Sequence, residues 1–403
     1  MKILVLNCGS SSLKSSLYDL KNHEKKPPAP IWEGQLQWTG RFSDVALDTK
    51  TNQGQKLTKK INAATFDAAL SELIASLMQK ESPVLASIDE IDAVGHRIVH
   101  GGKVYRDSVL IDHDVKSKIR QFAAFAPLHN FPALQGIEAM EKLIRKKPQI
   151  AVFDTAFHHS LPMEATVYPV PYHWYEQGVQ RFGFHGISYH YCSERAADML
   201  QRDVKTLKMV ICHLGAGASL CAVMNGKSHD TTMGFTPLEG LMMNTRSGTI
   251  DPGIILERLK KTDLDTLSHE LYRESGLWGV SGVSSDMREI LKSAHEGHQR
   301  AQLAFDMYIH RLSSCIGSMV ASIAGIDALV YTAGIGENTP VLRKKVCERF
   351  AFLGIDIDPD LNDQTKARDA DISSKNAKVR TLVIHTEEAF EIARECWRMV
   401  KRA

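Results

Sequence analysis

Apolar and polar positions alternate along the 403 residues in a way that predicts a mixed α/β chain. An apolar run, Ile3 to Leu6, turns at Asn7-Cys8-Gly9, passes three serines and Lys14, and resumes as a strand over Ser15 to Leu20. This spacing predicts a β-hairpin with Ser10 to Ser12 at its turn. From Leu20 to about Lys60 come weak strands and turns: Pro27, Pro28 and Pro30 mark a loop, and IWEGQLQW alternates like an exposed strand. Phe66 to Gln79 carries Phe66, Leu70, Leu73, Ile74 and Leu77 at helical spacing. Ile91 to Val99 and Gln149 to Asp154 read as buried strands and Val115 to Phe125 as a helix. PLHNFPAL reads as a proline-bounded turn into a helix from Gln135 to Ile144.

Residues 155 to 191, rich in histidine, tyrosine and glycine, read as loop and short turns. Met209 to Met224 is a second strand–turn–strand. Helices are expected around 253–260 and 286–298, then a long one from about 301 to 324 with its stripe at Phe305, Ile309, Leu312, Ile316, Met319 and Ile323. Ala328 to Thr332 is a strand that ends in the Gly-rich turn AGIGEN. Val379 to Ile384 is a strand, and Glu387 to Val400 is the closing helix.

VLNCGSSSLK (5–14) and ICHLGAGASL (211–220) align without a gap, which sets Asn7 on His213 and Gly9 on Gly215. A unit that recurs in both halves of a chain suggests a duplicated domain, and the length favours two domains over one core. The expected division is 1–150 with 386–403 as the N-terminal domain and 151–385 as the C-terminal domain.

Composition narrows the class. With 43% hydrophobic residues, 24% charged residues and a net charge of +2, the chain is globular and lacks the basic excess of a nucleic-acid or membrane-surface protein. Its seven cysteines are odd in number, scattered and without a CxxC pair, so reduced core thiols are expected rather than disulfides or zinc ligands. The N-terminal stretch reads as a strand and not a signal peptide. The apolar region Cys315 to Tyr331 is interrupted by Asp327, so no membrane span is expected and the location should be cytoplasmic.

The opening hairpin, with its Gly/Ser turn and single lysine, suits a phosphate. It is not a Walker A loop, because Leu13 stands where the second glycine belongs and no long helix follows Lys14. Other stretches are dense in groups for anions. GHRIVHGG puts Arg97 at the end of a buried strand, where a guanidinium needs a carboxylate or phosphate partner, supplied by a ligand or by a structural ion pair. VFDTAFHHS puts Asp154 at a strand's C-terminal end. FGFHGIS holds His185 in a Gly-bounded turn, and PLEGLMMNTRSG sets Arg246 in a loop. SGVSSDMRE offers Asp286 and Arg288 at a helix start, and AGIGEN offers Glu337 and Asn338.

Taken in order, NCGSSSLK, GHRIVHGG, PLHN, FDTAFH, FHGIS, HLGAGAS, DTTMGFTPLEGLMMNTRSG, SGVSSDMR, TAGIGEN and the late TEE resemble the acetate kinase family over essentially the whole length. That family lies in the sugar kinase/Hsp70/actin superfamily. The resemblance implies two similar α/β domains of the actin/hexokinase (RNase H-like) type, with mixed sheets flanked by helices and the active site in the interdomain cleft. It implies the reversible reaction of acetate and ATP to acetyl phosphate and ADP with Mg²⁺ or Mn²⁺, and a homodimer formed through the C-terminal domains.

By motif match, Asn7 and Glu387 would bind the metal and Lys14 the phosphates. Arg97 would bind the acetate carboxylate, with Val99, Leu128, Phe184 and Pro237 around its methyl group. Asp154, His185 and Arg246 would be the catalytic residues, with His129 and His213 beside them. The nucleotide would lie against His213, Leu214, Gly215, Ala216 and Gly217, and its nucleoside against Asp286, Met287, Arg288, Gly334, Ile335, Gly336, Glu337 and Asn338.

The chain departs from the family's usual pattern near the phosphoryl donor. Ala216 stands for Asn, Asn244 for Gly, Thr249 for Asp, Ile187 for Thr and Tyr189 for His. These departures keep open a changed donor or acceptor, pyrophosphate or propionate, beside ATP and acetate. A non-catalytic nucleotide-binding protein is the further alternative; retention of Arg97, Asp154, His185 and Arg246 argues against it.

Overall fold

A computed structural model of the chain describes residues 1–9, 11–22, 27–39, 44–79, 83–123 and 127–402, the side chains of 127–129 excepted. The chain forms two compact units, Met1–Ala156 with Glu387–Ala403, and Phe157–Thr386.

The first unit is built on an eight-stranded sheet. Its strands are β1 (Lys2–Cys8), β2 (Ser12–Asp19), β3 (Trp32–Trp38), β4 (Val45–Thr51), β5 (Lys56–Ile61), β6 (Ala93–Ile98), β7 (Val109–Leu110) and β8 (Gln149–Phe153). They lie in the order β5-β4-β3-β2-β1-β6-β8-β7. The second unit has β9 (Lys208–Leu214), β10 (Ala218–Met224), β11 (Lys227–Thr231), β12 (Ala328–Thr332), β13 (Ala370–Asp371) and β14 (Arg380–Val383), in the order β11-β10-β9-β12-β14-β13.

The two orders share one pattern. A hairpin strand pairs antiparallel with its partner and parallel with a later strand, and that strand pairs parallel with the next. Even the short antiparallel edge, β7 in one unit and β13 in the other, recurs. The region from Leu20 to Lys60, weakly patterned in sequence, is the antiparallel extension β3-β4-β5 on the first sheet.

Alternation along β1 sends Leu4 and Leu6 into a core with Leu13, Leu17, Trp32, Leu36, Phe66, Leu70, Leu73 and Met140. The opposite face is covered by the helix Glu388–Arg402, which packs on β1 and β6. Gly95 of β6 makes that approach possible: a Cβ there would come within 2.6 Å of Cys396 Sγ and 2.7 Å of Ile392 Cγ2. In the second unit the strands β9, β10 and β12 are almost entirely buried. The long helix Gln299–Ser322 buries Phe305, Ile309, Leu312, Ile316 and Met319, the apolar stripe read from the sequence. The seven cysteines are free thiols, six of them buried.

Several expected elements differ. PLHNFPAL is not a turn; it begins the helix Pro127–Leu143, with Pro132 inside it. Pro127 occupies the first helical position, where no N–H is needed, and Pro132 forfeits one bond of the ladder. Burial of Ala133, Leu134, Ile137 and Met140 offsets that loss. AGIGEN is not a turn either but the short helix Ala333–Asn338, which the chain enters directly from β12 through a left-handed Ala333 (φ 63°).

That short helix is held by Arg343, which is fully buried and uses all five of its donors on protein oxygens. Nη1 donates to the carbonyls of Gly336 (2.9 Å) and Glu337 (2.8 Å), Nε to Asn362 Oδ1 (2.8 Å), and Nη2 to the carbonyls of Asn362 (2.8 Å) and Thr365 (2.9 Å). Helices Gly186–Leu200, Leu264–Arg273 and Gly276–Ser281 have no counterpart in the sequence reading. Each begins next to glycine or polar residues that read as loop.

Two predictions follow from this packing. Gly95→Ala should lower the unfolding free energy by about 1–3 kcal/mol, because the added methyl must displace the closing helix; the urea midpoint of the purified variant measures it. His96 in the first unit and His158 in the second are pushed down to about 4, chiefly by burial. Their folded values lie below the unfolded one, so their stabilisation is present above about pH 6.5 and lost as pH falls toward 4. Urea unfolding at pH 5 should therefore show a loss of about 2 kcal/mol for each histidine relative to pH 7.

Candidate active site

In the first unit the chemistry gathers where parallel strands end, as is usual in α/β sheets. Leu6 lies opposite His96 and Ile98 opposite Phe153, so Asn7, Arg97 and Asp154 come at the ends of adjacent strands. Asp154 is 1% exposed. It accepts a bidentate pair of bonds from Arg97, from Nε at 3.1 Å to Oδ1 and from Nη2 at 2.7 Å to Oδ2. Glu388 Oε2 stands 4.0 Å from the third guanidinium nitrogen, Nη1. Burial works against the charge on Arg97, but attraction from Asp154 and Glu388 outweighs it and holds the pKa above its ordinary value.

Lys14 pairs with Asn7 across the hairpin and is exposed, whereas Asn7 is half-buried. Ser10 of the expected turn lies outside the described residues. Glu387, half-buried, immediately precedes the closing helix. Val99 is half-buried beyond β6; Leu128 and His129 lie in the helix Pro127–Leu143, and their side chains are outside those described. Asn130 of the same PLHN stretch is fully buried. It accepts from the His100 N–H (3.1 Å) and donates to the His100 carbonyl (3.0 Å), fixing the loop that follows Arg97.

In the second unit the hairpin β9/β10 sets His213 opposite Ser219. This corrects the ungapped alignment of the two hairpins. Asn7 faces Lys14 in the first, but the residue aligned with Lys14 is Leu220, and Leu220 faces Cys212. The second turn is one residue shorter. It is closed by Gly215 N–H donating to the Gly217 carbonyl (3.2 Å), whereas in the first Gly9 N–H reaches the Ser12 carbonyl (2.8 Å). A one-residue change in register exchanges the faces of every residue beyond the turn.

Gly217 lies at the foot of two cationic or polar side chains. A Cβ there would lie 3.4 Å from Arg246 Nη1 and 3.6 Å from His185 Nε2, so these two groups converge over the turn. His185 stacks on His213 with ring centroids 4.1 Å apart and planes 19° apart. Its Nδ1 is hydrogen-bonded to Ser219 Oγ (2.8 Å), and His213 Nδ1 to Ser188 Oγ (2.9 Å). His185 takes a left-handed conformation (φ 59°) at the start of the helix Gly186–Leu200.

Arg246 donates to the Pro237 carbonyl (3.3 Å). Burial lowers its pKa, and among the described residues no carboxylate of its unit lies within ion-pair distance. A half-buried guanidinium without counter-charge is suited to an anionic ligand. Phe184 is buried, and Pro237 is half-buried in a loop held by Glu239, which accepts from Arg181 Nη2 (3.0 Å) and from Tyr168.

The residues expected at a nucleoside differ in character. Asp286 caps the helix Met287–His295 by accepting from the Arg288 N–H (2.9 Å), and it also pairs with the Arg288 guanidinium. Met287 points into the core. Gly334 and Asn338 are exposed and linked, Asn338 Nδ2 donating to the Gly334 carbonyl (2.9 Å); Ile335 is half-buried and Gly336 buried. Glu337 is buried, and its carboxylate accepts from the Thr386 N–H (3.1 Å) and is bonded to His385 Nδ1 (2.6 Å). It is therefore turned into the unit.

Gly215 is flanked by buried Leu214 and by exposed Ala216, one of the departures. Asn244 N–H donates to the Ala216 carbonyl (3.3 Å), while its buried Oδ1 has no partner among the described residues. Thr249 exchanges two bonds with Gly240, N–H to carbonyl at 2.9 Å and Gly240 N–H to Oγ1 at 3.0 Å. Sequence reading missed Glu388, Asn130, Ser219 and the contact of Tyr189 with Ser219. The stretches PLHN, HLGAGAS and TEE hold Asn130, Ser219 and Glu388, but gave no sign of which partner each side chain meets.

The Acetokinase family model matches residues 2–394. The acetate kinase of Nostoc sp. strain PCC 7120 is 49% identical over 406 residues, covering 100% of both chains. The crystal structure of Porphyromonas gingivalis acetate kinase superposes with a TM-score of 0.92 at 38% identity, covering 99% of each chain. A propionate kinase from Francisella tularensis gives 0.89 at 36% identity, over 98% of this chain and 99% of that one. With paired arginine and carboxylate at the strand ends of one unit, and two histidines and an arginine around a glycine turn in the other, the chain belongs to the acetokinase family.

Proposed function

We propose that this chain transfers the γ-phosphoryl group of ATP to acetate, reversibly, giving acetyl phosphate and ADP. The observation that carries this reading is the convergence of His185 Nε2 and the uncompensated Arg246 over Gly217, within a chain similar to acetate kinases along its full length. Acetate is ionised at neutral pH, so no general base is needed. A carboxylate oxygen forms a bond to the γ-phosphorus as the bond to the β–γ bridging oxygen breaks and ADP leaves. The protein's work is alignment and neutralisation of charge on the equatorial oxygens.

Arg246 and His185 would supply that neutralisation, with His213 holding the ring of His185 by stacking. Arg97 would orient acetate through the nitrogen that Asp154 leaves free, Nη1. Asp154 itself would act by fixing the guanidinium, to which each of its oxygens is bonded. Val99, Leu128, Phe184 and Pro237 would surround the methyl group. Lys14 and the Gly215–Gly217 turn would meet phosphates. Asp286, Met287, Arg288 and Gly334–Asn338 would define the nucleoside end, Glu337 and Met287 from beneath the surface.

The oxygen donors of Asn7 and Glu387 fit a hard divalent cation such as Mg²⁺ or Mn²⁺. When bound, the cation draws charge from the phosphate oxygens. Both residues belong to the first unit, and the helix after Glu387 packs on the strand that carries Asn7.

The chain is further proposed to act in the cytoplasm; among the described residues no helix is long and apolar enough to cross a membrane. A homodimer through the second unit is supported by its exposed Leu256, Leu264, Trp278 and Leu303.

The test is an acyl-hydroxamate assay with acetate, ATP and Mg²⁺, in which millimolar substrate should give acetyl hydroxamate; no product would refute the reading. Arg246→Ala should lower kcat by about 10²–10³-fold, the usual cost of one transition-state donor. In the same assay propionate should react with a kcat/KM about 10–200-fold below that of acetate, the usual discrimination for one methylene.

A further inference from the structure

His185 meets the rest of its unit through Ser219, and Ser219 meets Tyr189, whose hydroxyl is bonded to Ser219 Oγ. Tyr189 and Ser219 are both 0% exposed, so water completes neither hydroxyl. Among the described residues Ser219 is the only hydrogen-bond partner of the Tyr189 hydroxyl, and Ser219 Oγ has Tyr189 and His185 Nδ1 as its two. Burial pushes the Tyr189 phenol well above its ordinary range, so it keeps its proton.

Three atoms in a row then allow few arrangements. If Nδ1 carried the imidazole proton and gave it to Ser219, the serine proton would have to go to Tyr189, and the phenol proton would be left buried with no acceptor. If Ser219 accepted from both sides, its own proton would be stranded. Each alternative strands a buried donor, which is costly. One direction leaves none: Tyr189 O–H donates to Ser219, Ser219 O–H donates to Nδ1, and Nε2 carries the imidazole proton. Stacking on His213, 4.1 Å away and 19° from parallel, holds the plane of the ring.

We propose that Tyr189 and Ser219 are positioning residues that form a two-hydroxyl relay, locking His185 in the Nε2–H tautomer so that this N–H is offered to the transferring phosphoryl group beside Arg246. The proposal rests on the reading of His185 as a phosphoryl contact. The locked nitrogen is the one facing the space over Gly217, where a Cβ would lie 3.6 Å from it and 3.4 Å from Arg246 Nη1. The tyrosine stands where the family usually has histidine, so the relay belongs to this chain's own residues.

The experiment uses the full chain. In ¹⁵N-histidine-labelled wild-type protein, with the His185 signals assigned by difference from His185→Gln, His185 should show the Nε2–H tautomer; an Nδ1–H tautomer would overturn the relay. Tyr189→Phe keeps the ring and removes the donor. It should leave the Nε2–H tautomer in place, because Ser219 O–H then has Nδ1 as its one acceptor, and lower kcat about tenfold through loss of the bond that polarises Ser219, with KM for acetate and ATP within about twofold of wild type. Ser219→Ala removes the donor to Nδ1 and should convert the His185 signal to a mixture of tautomers, and the double variant should be no slower than Ser219→Ala alone; multiplied losses would mean separate roles. A dead His185→Gln beside a Ser219→Ala of wild-type kcat and tautomer defeats the relay and leaves the role of His185 standing. A fully active His185→Gln defeats that role and the relay with it.

Discussion

Parallel pairing of each hairpin strand with a strand made much later in the chain is the constraint on which both units depend. β1 must run in step with β6, and β6 with β8; β9 likewise with β12, and β12 with β14. Parallel ladders cannot be closed by tight turns, so their ends on one side become loop mouths, and backbone groups there are free to be used otherwise. Asn7, Arg97 and Asp154 sit at such ends in the first unit, and His213 and Ala333 in the second. The recurrence of the whole strand order, down to the edges β7 and β13, means that the same constraint is solved twice with different side chains.

Three arginines show how differently one charge can be accommodated below a surface. Arg97 is matched by two carboxylates and gains charge stability from them. Arg343 has no carboxylate partner among the described residues; carbonyl and amide oxygens satisfy every donor, and burial pulls its pKa down to about 10. Arg246 has a single carbonyl contact and a pKa also lowered by burial. The first arrangement is matched by charge, the second by neutral oxygens, and the third has donors left over for an anion. Chemistry is found where the accounting of charge is left open.

Much of this was legible in the chain itself. Hydrophobic period gave β1, β6, β8, β9, β12 and the stripe of the long helix, because each buries a regular face. Arg97 and Asp154 were visible as charged residues at predicted strand ends, and His185 and Arg246 as polar residues beside glycine in a turn and a loop. What failed was context-dependent. Pro132 misled because burial of neighbours outweighs one missing bond, and AGIGEN misled because Arg343, five residues beyond it, supplies the carbonyl partners that let it coil. The ungapped match of the hairpins hid a shorter second turn, since identity of residue type carries no information on pairing across a strand. Ser219 was passed over for the same reason: it aligns with Leu13, yet stands in the ladder where Lys14 stands.

The first unit is discontinuous, and that has a consequence for how the protein is made. Among the described residues the face of β1 and β6 around Gly95 is covered by the helix Glu388–Arg402, so that face stays bare until an element on the far side of the second unit has been made. The intervening unit, whose strands all lie between residues 208 and 383, has its own core and no such debt. During synthesis the order of completion is therefore inverted: the second unit has all its strands before the first unit has its covering helix. Glu388, the second carboxylate beside Arg97, arrives with that helix, so the charge balance around this guanidinium is completed only after the second unit has been made.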